Sequence, residues 1–290
     1  MAMALRDATL GNPLWSINRV SWPARLAVKW SVFLLAVIAV CFPYPSRLVR
    51  HVQHWRDPGA LIEPDAAALA PFVEELAPRI DPEQPPKKTL KTIEQFVYQK
   101  IPYAWDWDTW GVADYLPTVT ETIAAGREDC DGRAVVAASL MRRFGFNARL
   151  VTDFGHLWVK TDQGEAMSPG KKPWIVADEQ GIQYRWGALR QVPGTLAYGI
   201  AVFPLARDMV LVGVLWLLLL RKNGGLGCNL TALTFLVAGL LILRAASQDY
   251  FHPRRGLQIL ALASGLLGVL SLWLWAAANA RRTAAADLAV

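Results

Sequence analysis

The run Gly126-Arg127-Glu128-Asp129-Cys130-Asp131-Gly132-Arg133-Ala134 is a polar turn that delivers one cysteine to the start of an Ala/Val/Leu/Met-rich stretch. Downstream comes Phe154-Gly155-His156-Leu157-Trp158-Val159. A helix N-terminus favours negative charge, so a thiol placed there is expected to have a lowered pKa and a larger thiolate fraction. An imidazole entering from a strand then completes an activated nucleophile. The chain has four histidines. His51 and His54 follow an apolar segment, and His252 lies in a short loop between two others, which leaves His156 as the candidate partner of Cys130.

Working outward, Asp131 to Phe144 reads as a core helix. Ala134, Val135, Ala137, Ala138, Leu140 and Met141 make it apolar nearly all round, and Gly145 stops it. Ala148 to Asp153 and His156 to Thr161 read as strands, with Asp162-Gln163-Gly164 as the following turn. Glu165 to Ser168 and Ile182 to Trp186 are weaker strand candidates. Upstream, Asp65 to Leu76 reads as a helix capped by Asp65 and kinked or restarted at Pro71. Thr89 to Lys100 reads as an amphipathic helix with Leu90, Ile93, Phe96 and Val97 on one side. Between this helix and the cysteine turn lies Ile101-Pro102-Tyr103-Ala104-Trp105-Asp106-Trp107-Asp108-Thr109-Trp110. Its tryptophans are expected to fill the core or touch a membrane surface, with cleft lining as the alternative. Arg47 to Gly59 reads as a basic connector resting at the membrane interface.

The chain is 53% hydrophobic and only 19% charged, against roughly 25% charged in a soluble domain. The shortfall is concentrated in Ala27 to Phe42, Ile200 to Leu220, Thr231 to Leu243 and Leu257 to Ala278, which read as four transmembrane helices. The second contains Arg207 and Asp208. It must begin near Ala197 to Ile200 to be long enough, with Arg207 snorkelling to one leaflet, the alternative being a polar contact within the bundle or with the catalytic domain. Residues 46–190 hold 18 Lys/Arg against 20 Asp/Glu, and the rest holds 12 against 4. The basicity therefore flanks the membrane and is no nucleic-acid footprint. Cys41-Phe42-Pro43 offers no small-x-small cleavage site, so the first span reads as an uncleaved anchor. A slight Lys/Arg bias at the N-terminal segment, Arg221-Lys222 and Arg281-Arg282 points to cytoplasmic termini and an extracytoplasmic polar domain. The three cysteines, Cys41, Cys130 and Cys228, form no CxxC pair, and there is no EF-hand loop. No metal or cofactor is expected.

The cysteine run, the segment Leu140-Met141-Arg142-Arg143-Phe144-Gly145-Phe146-Asn147-Ala148-Arg149-Leu150-Val151 and the segment His156-Leu157-Trp158-Val159 together resemble the core of the transglutaminase-like superfamily. The Asp-Cys-Asp variant also resembles bacterial transglutaminase-like cysteine peptidases. The likeness is strong over about Pro117 to Val159. It implies an α+β, papain-like catalytic domain, a core helix packed on an antiparallel sheet, flanked by transmembrane α-helices. The expected division is residues 1–45, N-terminal segment and first span; 46–193, catalytic domain; and 194–290, three further spans. The resemblance makes Cys130 the nucleophile, His156 its base and Asp178, which follows Trp174, the orienting acid. Asp162 and Asp153 are the alternatives, because the hairpin at 162–164 sets Pro169, Gly170 or Lys171 opposite His156. The implied activity is acyl transfer at a peptide or glutamine carboxamide through a thioester, in a membrane-anchored protease or peptide hydrolase. Hydrolysis and crosslinking both stay open. The other class is a non-enzymatic, membrane-tethered binding or assembly module. Expected partners are the lipid bilayer, a peptide or protein substrate, and a membrane-protein partner.

Overall fold

The computed structural model describes residues 21–153, 155–170, 173–178, 181–185, 190–220 and 225–287. In chain order its helices are α1 (Trp22–Cys41), α2 (Pro45–Arg56), α3 (Ala70–Leu76), α4 (Pro86–Lys100), α5 (Asp106–Thr109), α6 (Val119–Ala125) and α7 (Cys130–Arg143). Five strands follow: β1 (Arg149–Thr152), β2 (Leu157–Thr161), β3 (Gly164–Ala166), β4 (Ile175–Asp178) and β5 (Gly181–Tyr184). The chain closes with α8 (Val192–Val202), α9 (Leu205–Leu219), α10 (Leu226–Ser247) and α11 (Arg255–Asp287). Contacts divide it into two units. One comprises residues 41–204 with the loop 247–253, and the other holds α1, α9, most of α10, and α11.

The polar unit is an α+β domain. Its sheet runs β3-β2-β1-β4-β5, antiparallel throughout. α7 lies against β1 and β2, and α4 packs on α7 and β3. Small residues let these layers approach closely. Ala134, Val135, Val136, Ala137, Ala138, Leu140 and Met141 of α7 are all buried, as are Ile93, Phe96 and Val97 of α4 and Leu150, Leu157 and Trp158 of the sheet. Burying each large aliphatic chain is worth about 1.5–3 kcal/mol. Pro71 restarts rather than kinks its segment: a 3-10 turn, Ala67–Leu69, gives way to α3 with the proline in the first turn, where its missing N–H costs nothing.

Two expectations are corrected. Arg47 to Gly59, expected as a connector, is folded structure of the polar unit. Most of it is α2, and its histidines dock on the domain: the Leu116 N–H donates to His51 Nδ1, and His54 Nδ1 donates to the Leu116 carbonyl. The apolar run Ile175-Val176-Ala177 is a strand, β4, paired with β1; only its continuation, β5, had a strand signal.

In the apolar unit, α1, Leu226–Ser247 and Arg255–Trp275 are each long and apolar enough to cross a membrane. Val192–Val202 and Leu205–Leu219 make a fourth candidate only if they count as one broken span. The expected continuous second helix is interrupted because Pro204 disfavours helical backbone at Phe203, which is extended (φ −60, ψ 151). Asp208 is buried against Arg244 in an ion pair between α9 and α10. Of the two roles open to this polar pair, Asp208 takes the contact within the bundle. Small residues bring α10 and α11 together: a Cβ on Gly239 would lie 2.9 Å from the Ala261 carbonyl.

The turn before α7 is tightly fixed. Thr118 and Glu121 close a capping box at the start of α6, and Gly126 ends it in the left-handed region (φ 67). A Cβ on Gly132 would lie 2.3 Å from Glu128 Cγ, 2.5 Å from Thr122 Oγ1 and 2.9 Å from Pro117 Cγ. Gly132→Ala is therefore expected to destabilise the domain by about 1–3 kcal/mol through overpacking. Thermal denaturation in detergent checks this, and an unchanged melting temperature would contradict the packing described.

Candidate active site

The N-terminus of α7 carries Cys130. Asp129 is its N-cap, and its carboxylate accepts from the Asp131 N–H at 3.0 Å. On the other side of the site, the chain turns between β1 and β2, and the Asp153 N–H donates to the His156 carbonyl at 3.3 Å. His156 and Trp158 sit two apart at the edge of β2 and so share a face. Their rings lie 6.2 Å apart and nearly parallel, at 19°. Trp158 is fully buried, with Nε1 donating to Glu165. The His-x-Trp pattern thus gives the imidazole a rigid wall.

Cys130 and His156 line one cavity of about 250 Å³, together with Tyr98, Tyr103, Arg133, Leu157 and Met167. His156 Nε2 lies 2.8 Å from the Met167 carbonyl oxygen. A carbonyl only accepts, so Nε2 carries the hydrogen and the neutral ring keeps Nδ1 as its basic nitrogen. Met167 reaches this position in the left-handed region (φ 60), a sparsely populated conformation for a residue with a side chain.

The sheet register does not bring the expected Asp178 to the imidazole. β4 pairs with β1, setting Ala177 opposite Leu150 and Ile175 opposite Thr152. His156 is level with Asp153, at the other end of β1 and across it. About four residues along and two strands across put roughly 15 Å between the two backbones. The chain between β3 and β4 returns to the far edge of β1, so β1 separates the two residues. The side chain of Asp178 lies outside the described residues. Of the alternatives, Asp162 is bound to Arg149 and Asn147 at the distal hairpin. Asp153 is fully buried beside the histidine turn, where its carboxylate accepts from the Gly155 N–H and the Tyr250 hydroxyl.

Sequence reasoning missed Met167 and Tyr250. Met167 contributes only a backbone carbonyl, which any residue type supplies. Tyr250 arrives from 97 residues away in sequence, on the loop between α10 and α11. Neither leaves a motif.

The electrostatics reverse one expectation. The Cys130 thiol is pushed well up, chiefly by burial and then by Asp131 and Asp129; the Leu157 backbone offsets this in part by hydrogen bonding to the sulfur. The thiol lies 3.3 Å from Asp131 Oδ1. The helix-end field expected to favour thiolate is outweighed by desolvation and two adjacent carboxyls. The carboxyls are themselves raised by burial: Glu128 to about 7 and Asp129 to about 8. Glu128 accepts from Trp110 Nε1, and Asp106 accepts from the Tyr115 N–H. Asp106, Glu128 and Asp129 bring one oxygen each within 4.8 Å of the others. That spacing also suits a cation, but the raised pKa values make protons the ready neutralisers near neutral pH.

Residues 74–179 match the model of the transglutaminase-like superfamily. The chain carries a transglutaminase-like domain. That match takes in Cys130, His156 and Asp178. No curated protein matches the chain. The transglutaminase-like domain therefore supplies the cysteine-bearing helix and the histidine strand, and the apolar helices lie outside the matched region.

The raised carboxyls fix the direction of the domain's pH dependence. Glu128 and Asp129 hold protons in the folded state up to about pH 7 and 8, but in the unfolded chain only up to their ordinary values of 4.5 and 3.8. Across that window the folded state binds more protons, so stability falls as pH rises. Melting temperature in detergent is expected to be higher at pH 5 than at pH 8. Glu128→Gln, which mimics the protonated acid, is expected to flatten the slope; a slope of the opposite sign would contradict this burial.

Proposed function

We propose that this protein is a membrane-anchored cysteine enzyme that transfers acyl groups from a peptide or glutamine carboxamide, working most readily as a peptide hydrolase. The reading rests on one observation: Cys130 and His156 line the same cavity, with Nε2–H of the imidazole committed to the Met167 carbonyl. Nδ1 is then the nitrogen able to take a proton.

The chemistry follows from these positions. Because the thiol rests protonated, proton transfer accompanies attack. His156 accepts the thiol proton as Cys130 Sγ bonds to the substrate carbonyl carbon. The oxyanion is met by backbone N–H groups at the start of α7 that lack partners within the helix, other than that of Asp131, which donates to the Asp129 cap. The tetrahedral adduct collapses, the C–N bond breaks, and the imidazolium returns its proton to the leaving amine. Water attacks the remaining thioester with His156 again as base, releasing the carboxylic acid and restoring the thiol. An amine in place of water would give crosslinking by the same route.

The Met167 carbonyl takes the part of the orienting group, holding the ring in one tautomer much as an acid would. Asp178 then contributes to the sheet and not to the imidazole. The domain works at the extracytoplasmic side, where it meets peptides, secreted proteins or membrane-protein partners.

The test uses the full chain in detergent micelles and a mixed peptide library read by mass spectrometry. Cys130→Ala and His156→Ala are each expected to abolish cleavage, by 10³-fold or more in order of magnitude, with the melting transition retained. Asp178→Asn is expected to keep activity within about tenfold. Full activity of Cys130→Ala would overturn the proposal, and an inert but folded wild type would favour the binding-module reading.

A further inference from the structure

The cavity beside Cys130 holds a cation for which the acyl-transfer steps have no use. Arg133 is three residues after Cys130 on α7, on the same helix face, and it lines the cavity. Its position is held from three sides. Nε donates to the Ile101 carbonyl at 2.9 Å, and the guanidinium carbon lies 5.2 Å from the Tyr98 ring centre and 5.1 Å from that of Tyr103. Tyr98 and Tyr103 line the same cavity.

This arrangement uses one of the five N–H donors of the guanidinium. Among the described residues, no carboxylate forms an ion pair with it. Burial raises the pKa of both carboxyls flanking the thiol, which lessens the negative charge they set against the guanidinium. A fixed guanidinium with free Nη donors, walled by aromatic faces and opening on a nucleophile, matches a planar carboxylate.

We propose that Arg133 is the specificity determinant of this cavity, receiving a carboxylate of the substrate and directing Cys130 to amide carbonyls close to that charge. This rests on the cysteine-nucleophile reading and narrows its substrate class. The carboxylate is supplied either by a free chain end or by an acidic side chain.

The test compares two alkylating agents that react by the same step, sulfur bonding to a methylene carbon as iodide leaves. Iodoacetate carries a carboxylate, and iodoacetamide is its neutral counterpart. With Cys41→Ser and Cys228→Ser in the full chain, only Cys130 is alkylated. The ratio of iodoacetate to iodoacetamide rates is expected to exceed that of a small free thiol by about fivefold or more, the scale of a hydrogen bond to a charged group. Arg133→Met is expected to return the ratio to the free-thiol value, and Arg133→Lys to keep part of the excess. Raising salt from about 0.02 M to about 0.5 M reduces the excess seen with Arg133 in place by screening, a readout that needs no substitution at Arg133.

Protection of Cys130 from iodoacetamide then assigns the source. N-acetyl-Ala-Ala with a free carboxylate protects if the group is a chain end, and N-acetyl-Ala-Glu-amide protects if it is a side chain. A ratio equal to that of the free thiol, or protection by neither peptide, overturns the proposal and leaves the nucleophile reading standing. Failure of both reagents to reach Cys130 in the folded chain, with normal alkylation once unfolded, overturns the nucleophile reading as well.

Discussion

Helix α7 is enclosed on nearly every side, and the site follows from that enclosure. Ten of its fourteen residues are buried, so the helix has one place to lie, between α4 and the sheet. Its first residue is the cysteine, and the strand it packs against, β2, begins beside the histidine. Packing therefore sets both side chains along one cavity. Gly132 sharpens the constraint by letting α7 press onto the Glu128 turn where a methyl group would collide. The same closeness has an electrostatic cost. Glu128, Asp129 and Asp131 are drawn out of water with the helix end, which raises their pKa values, and burial of Cys130 itself is the chief reason its thiol stays protonated.

In the proposed mechanism a resting thiol of this kind places control in the proton transfer. Thiolate is not stored in advance, so the proton moves when substrate arrives, and the tautomer set by the Met167 carbonyl matters more than any permanent charge on the imidazole. Asp153 supports the histidine turn from beneath, held by Gly155 and Tyr250.

Much of this was legible in the sequence, for physical reasons that can be named. α7 was readable because its apolar residues go all round and a glycine follows it. The places of Cys130 at a helix start and of His156 beside a strand were readable because a turn-to-helix junction and a His-x-Trp strand leave strong local patterns. The place of Asp178 in the sheet was not readable. It depends on strand order, and β4 lies on the far side of β1, which local pattern does not encode. The break at Phe203 was also missed: hydropathy favours continuing the helix through Pro204, whereas the proline ring forbids it. The pKa of the thiol was misjudged because a helix-end rule ignores how deeply that particular end is buried.

The most direct measurement is the pH dependence of Cys130 alkylation by iodoacetamide, in a chain carrying Cys41→Ser and Cys228→Ser, with and without His156→Ala. The expected wild-type profile shows alkylation assisted by the imidazole below the alkaline rise at which the buried thiol ionises by itself. The expected His156→Ala profile keeps only the alkaline rise. Identical profiles in the two proteins would contradict the pairing of Cys130 with His156.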